Sequence, residues 1–146
     1  MEENEYRSTY RQINETRCVY EKALNARRIQ CRCMRRFLLA GREGVGCQSL
    51  EELGRCESFL DQVRAKARFV LQLTAIEGPL PHNKEIRVQV GGLQGLQRLL
   101  RPDDTALPDA SETLDLAAAR FGSIEAVPYQ EIMPAIAQAK GRPRRR

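Results

Sequence analysis

The first forty residues contain neither glycine nor proline; the earliest of each are Gly41 and Pro79. Nothing in that stretch forces the backbone to break, and its apolar residues are spaced for a helix. Tyr6, Tyr10, Ile13, Tyr20, Leu24, Cys31, Met34 and Leu38 recur at threes, fours and sevens. Val19, Ala23, Ala26, Cys33 and Phe37 widen that face. Glu fills the first turn and Arg the last, as the helix dipole prefers. The pattern predicts one helix from about Glu3 to Leu39.

Gly41, Gly44 and Gly46 then predict a tight reversal. Ser49-Leu-Glu-Glu52 is a capping-box signature. Behind it Leu50, Leu53, Cys56, Leu60, Val63, Ala67 and Val70 form a second amphipathic stripe, expected to end near Thr74. Two helices joined by a short glycine-rich loop imply a long antiparallel helical hairpin. The predicted fold class is therefore mainly α: that hairpin, plus a smaller C-terminal region of short helices with room for one short strand. Residues 1–76 would form the hairpin. Residues 77–104 would pack on it as a loop, a strand-like segment and a short helix. Residues 105–141 would be linker and short helices, and 142–146 a disordered basic tail, all within one domain.

In the middle region Ile86, Val88 and Val90 alternate with Glu85, Arg87 and Gln89, a strand-like period. Three readings stand side by side: a strand paired with another chain, an extended segment on helices, or a helix starting near Lys84. Leu93, Leu96, Leu99 and Leu100 follow as a short helix. Arg101–Ser111 reads as an exposed linker and Glu112–Phe121 as a helix ended by Gly122. Ser123–Pro128 reads as extended, and Tyr129–Lys140 as a helix with Pro134 in its first turn or at a kink.

The chemistry-bearing feature is thiol density. Four of the five cysteines, Cys31, Cys33, Cys47 and Cys56, fall within 26 residues, flanked by Arg27, Arg28, Arg32, Arg35, Arg36, Arg42 and Arg55. The opening Met-Glu-Glu-Asn-Glu carries no secretory or transit pattern, so a cytoplasmic location is expected. There a cysteine group points to a metal or redox site rather than a disulfide framework. Cys31, Cys33, Cys47 and Cys56 are the predicted ligands of an iron–sulfur cluster, with a 4Fe-4S core favoured. Zinc held by the same four thiolates is the alternative, although the paired knuckles usual in zinc sites, two cysteines separated by two residues, are missing. The spacing matches neither common ferredoxin pattern. Flanking arginines would lower the thiol pKa values and offset cluster charge. On the predicted helix, Cys18 lies about 20 Å from Cys33, which makes it a buried structural thiol.

Other chemistry is thin. The sole histidine, His82, sits in a Pro-rich stretch, too little for a Ser-His-Asp or Cys-His site. Gly44-Val-Gly46 and Gly91-Gly-Leu-Gln-Gly95 lack the context of a phosphate loop. The net charge of +5 comes largely from Arg142, Arg144, Arg145 and Arg146, so a nucleic-acid partner is disfavoured. No apolar run is long enough for a membrane span. The expected function is electron transfer, or an accessory role to a larger redox protein or complex docked on the arginine-rich face, rather than catalysis on an organic substrate. The rival is an interaction module whose thiols are merely buried.

Overall fold

In the computed structural model, residues 1–68 and 82–140 are described. Among them run α1 (Glu3–Ile13), α2 (Glu21–Asn25), β1 (Met34–Leu39), β2 (Arg42–Cys47), α3 (Leu50–Ala67), α4 (His82–Leu100), α5 (Ala110–Phe121) and α6 (Tyr129–Gln138). The expected long helical hairpin is overturned. The described residues are mixed: mostly helical, with a small antiparallel sheet formed by Met34–Cys47, the stretch read above as helix end and loop.

The predicted first helix fails at three places, each for a local reason. Asn14 closes α1: its backbone N–H still reaches the Tyr10 carbonyl at 2.9 Å. Its side chain donates instead to the Tyr10 hydroxyl at 2.8 Å and the Val45 carbonyl at 3.1 Å. An Asn whose amide finds tertiary partners competes with continued helix. Arg27 closes the five-residue α2 by adopting a left-handed backbone, φ +59°. Ala40 and Gly41 both have positive φ, 52° and 79°. That is the twist-matched two-residue turn of a β-hairpin, and it pairs Leu39 with Arg42 and, at the far end, Met34 with Cys47.

The glycines that read as a hinge are on a strand because neighbours need their space. The Phe37 ring lies across Gly44, where a Cβ would otherwise stand. The same ring packs on Tyr10, centroids 5.6 Å apart. A Cβ on Gly46 would come within 2.6 Å of Asn14 Oδ1. The other edge of β2 is covered by residues 16–18, where Cys47 N–H donates to the Thr16 carbonyl (2.8 Å) and Cys18 N–H to the Val45 carbonyl (2.9 Å).

α3 starts where the cap predicts, with Ser49 Oγ accepting the Glu52 N–H at 3.3 Å. Its expected end near Thr74, the loop through Pro81 and the basic tail lie outside the described residues.

The strand-like reading of Ile86–Val90 is also corrected: the segment belongs to α4, the third of the alternatives. α4 is buried on nearly every side, so its apolar residues need not keep to one stripe. The alternating polar residues each have a helical partner. Glu85 takes Arg64 of α3. Gln89 accepts the Ala23 N–H and donates to the Val19 carbonyl, tying α4 to the α2 segment. Arg87 donates to the carbonyls of Ala137 and Ala139 at the end of α6. Gly91 and Gly95 let α6 come close; a Cβ on Gly91 would lie 2.6 Å from the Ile136 Cα.

The core is shared by α2 to α6: Tyr20, Leu24, Phe59, Leu60, Val63, Leu93, Leu96, Leu114, Ile132 and Ile136 are all fully buried. Val45 brings the hairpin into it. Burying each such large side chain contributes about 1.5–3 kcal/mol. The hairpin is thus fixed on one side by α1 and on the other by this core.

Candidate thiol site

Strand alternation decides which way the hairpin cysteine faces. In the pairing of residues 16–18 with 45–47, Arg17 lies opposite Gly46. Cys18, Val45 and Cys47 therefore share a face, the one on which Val45 enters the core. Cys18 is opposite Val45 and diagonal to Cys47, a relation that places such residues roughly 7–8 Å apart. The Cys47 thiol donates to the Ser49 carbonyl at 3.1 Å, just before α3. The Tyr20 N–H points at the Cys18 sulfur, 3.4 Å away.

Cys31 arrives from another direction. Gln30 is pinned alongside the start of α5, its N–H donating to the Pro108 carbonyl (3.0 Å) and its carbonyl accepting the Ala110 N–H (2.8 Å). Cys31 follows, half-buried, with the Cys33 and Ser111 backbone N–H groups opposing the rise that burial causes. Cys56 is buried on α3, in the core against which Cys18 and Cys31 pack.

Several of these thiols feel one another's charge. Burial pushes the Cys18 thiol up to about 12, and Cys31 and Cys47 add to the rise. Burial also raises Cys56, with Cys18, Cys31 and Cys47 contributing and Arg55 opposing. Cys31 is raised by burial, partly offset by its two N–H donors. Among the described residues no three His, Cys, Asp or Glu side chains are grouped closely enough to hold a metal ion as they stand. A four-thiolate zinc ion needs its sulfurs within about 4 Å of one another, given Zn–S bonds of about 2.3 Å. The thiols influence one another's titration without forming a ready metal site among the described residues.

Of the four predicted ligands, Cys47 shares a face with Cys18, Cys56 is buried on α3 and Cys31 is half-buried beside the start of α5. Cys33 is placed differently. It lies in the turn before β1, its carbonyl holding Gln48 N–H at 2.9 Å. Its thiol faces Ser111 Oγ at 3.6 Å, and that hydroxyl donates to Glu52 at 3.0 Å. The exclusion of Cys18 rested on a helix that ends at Ile13. One signal was open to sequence reading: all five thiols precede residue 57.

Tyr20 was missed altogether as a site residue. It is fully buried, and its hydroxyl has no hydrogen-bond partner among the described residues. Burial raises its pKa, Cys56, Cys18 and Cys31 raise it further, and Arg64 opposes them. The arginines are largely committed elsewhere. Arg27 and Arg36 pair with Glu43, Arg42 with Glu3, Arg32 with Asp115, and Arg55 with Glu52 and Asp115. The face read as a basic docking surface is therefore substantially neutralised.

A cleft of about 1290 Å³ opens away from the thiols, lined in part by Glu21, Lys22, Arg28, Arg87 and Lys140. Arg28 and Arg87 are bound to backbone carbonyls there, and His82 lines it as well. Among the described residues, no helix is long and apolar enough to cross a membrane. No family model, curated protein or solved structure matches this chain.

The raised thiols make a pH prediction for protein stripped of metal. An unfolded cysteine loses its proton near about 8.5, whereas folded Cys18 holds it to about 12. Between those values the unfolded state binds fewer protons, so stability falls as pH rises. Melting temperature, followed by circular dichroism from neutral to alkaline pH, should begin to drop near about pH 8.5. Replacing Cys18 with Ala should make the drop shallower.

Proposed function

We propose that the chain is a small iron–sulfur protein that carries single electrons, alone or as an accessory to a larger redox protein. The reading is supported by one feature above all: all five cysteines precede residue 57, and the pairing of residues 16–18 with β2 puts Cys18 and Cys47 on one face. An iron–sulfur cluster takes thiolate ligands around several metal atoms and so accepts wider sulfur spacing than zinc does. When bound, it would supply one-electron exchange between a reduced and an oxidised redox partner. The chain's own part is to exclude water, to hold the sulfurs in place and to direct backbone N–H groups at them. Tyr20 N–H at Cys18, and the Cys33 and Ser111 N–H groups near Cys31, offset part of the burial that keeps these groups protonated, and would stabilise the negative charge of a bound centre.

A second reading has its own support. Cys56 is 6% exposed and surrounded by apolar side chains, which is how a cysteine that merely packs is placed. Metal analysis of the full chain purified without oxygen separates the two. The cluster reading expects iron and acid-labile sulfide in equal amounts and brown protein. Zinc alone, or no metal, would overturn it, and metal-free protein would leave the packing reading.

A further inference from the structure

We infer that the cleft between α2, the start of α4 and the end of α6 binds a small organic anion, an oxyanion head carried on an apolar body. The inference is independent of the iron–sulfur reading.

The charge of the lining carries it. Lys22, Arg28, Arg87 and Lys140 line the cleft together with one carboxylate, Glu21. Both Glu21 oxygens are turned to other groups: Arg17 on one, the Val45 N–H and Tyr10 hydroxyl on the other. None of the four cations has a carboxylate within ion-pair distance among the described residues. Arg17, Arg27, Arg42, Arg55 and Arg64, elsewhere on the molecule, all have one. Positive charges gathered around a concave space without a counter-charge attract anions and favour one that enters.

The two arginines are already in position. Arg28 donates through Nη1 to the Lys140 carbonyl at 2.7 Å. Arg87 donates through Nε to the Ala139 carbonyl and through Nη2 to the Ala137 carbonyl, each at 3.0 Å. Carbonyls fix a guanidinium without neutralising it. Nη2 of Arg28 and Nη1 of Arg87 keep N–H groups for an incoming oxyanion. Donors held beforehand lower the ordering cost of binding. Capping the end of α6 accounts for the two arginines alone. It does not account for Lys22, which lines the same space from α2.

The apolar part of the lining decides the rest of the ligand. Ile86 and Ala139 are buried, and Ala26 lines the cleft with them. A bare inorganic ion would leave that surface wet. The volume of about 1290 Å³ exceeds the roughly 300–1,000 Å³ usual for small-molecule pockets. There is room for a ring or chain behind the charged head.

Calorimetric titration of the full chain at low salt tests the site, with phenyl phosphate as the probe. One saturable site is expected, with inorganic phosphate binding more weakly and uncharged benzyl alcohol giving no saturable heat. Lys22→Ala combined with Lys140→Ala should weaken phenyl phosphate by about tenfold. Neither lysine is buried, so the double variant should keep the wild-type melting temperature. Arg35→Ala removes an exposed cation on β1, away from the cleft, and should leave the affinity unchanged. Absence of saturable phenyl phosphate binding would overturn the inference. So would equal affinity in wild type and the double variant, the result expected if the arginine run at 142–146 bound the probe instead. Equal affinity for inorganic phosphate and phenyl phosphate would overturn the apolar half of the ligand.

Discussion

Glu85→Ala is expected to destabilise the fold by about 3–5 kcal/mol, the cost of removing one partner from a buried ion pair. Glu85 is 3% exposed and accepts hydrogen bonds from Arg64, whose Nε lies 3.1 Å from both carboxylate oxygens. It also accepts from Gln89 at 3.0 Å. Gln89 in turn holds the Ala23 N–H and the Val19 carbonyl. One carboxylate therefore anchors α3, α4 and the segment that carries Cys18 and Tyr20. Without it Arg64 keeps only Asp61, at 3.3 Å. Glu85→Gln should fall between, since its amide oxygen still accepts while the charge is lost. Urea denaturation at neutral pH checks both; a midpoint unmoved by Glu85→Ala would mean the network holds nothing together.

The second large effect is at Glu21. Its Oε2 accepts the Val45 N–H at 2.8 Å and the Tyr10 hydroxyl, and its Oε1 accepts Arg17 Nη2 at 2.8 Å. Truncation to Ala strands the Val45 N–H, fully buried, and frees the Tyr10 hydroxyl from its acceptor. Each stranded donor costs about 1–3 kcal/mol, so Glu21→Ala should lose about 3 kcal/mol of stability. The position matters for the site. Val45 lies opposite Cys18 and two residues before Cys47, so loosening it disturbs the spacing of both sulfurs. The variant should therefore also lose iron faster than wild type when challenged with a chelator. Arg17→Ala, which removes only the exposed partner, should leave retention near the wild-type rate. Equal retention in wild type and Glu21→Ala would mean that β2 does not set the position of these thiols.

These effects show where sequence reading succeeded and where it could not. α3 was legible because its start is a local device: a serine hydroxyl and a backbone N–H three residues on. The end of α5 was legible for the same reason, since Gly122 has φ +88°. The first forty residues were misread because absence of Gly and Pro permits a helix without requiring one. Asn14 ends α1 by bonding to Val45, thirty-one residues away, a partner no window over residues 3–39 contains. Ile86–Val90 misled in the opposite direction. A helix enclosed on most sides has no solvent face, and its polar residues answer to Arg64, Ala23 and Ala139. The helical distances used to place the thiols shared the first error: residues 14–33 are not one rod, Cys18 lies beside β2 opposite Val45, and helical spacing no longer bears on Cys31 and Cys33.

The central claim is that separate segments bring sulfurs to one polynuclear core. Iron X-ray absorption on the full chain, purified without oxygen, addresses it most directly. The account predicts iron surrounded by sulfur alone, with a second shell of iron at the short separation that bridging sulfide imposes. Iron bound through nitrogen or oxygen, with no iron neighbour, would contradict it.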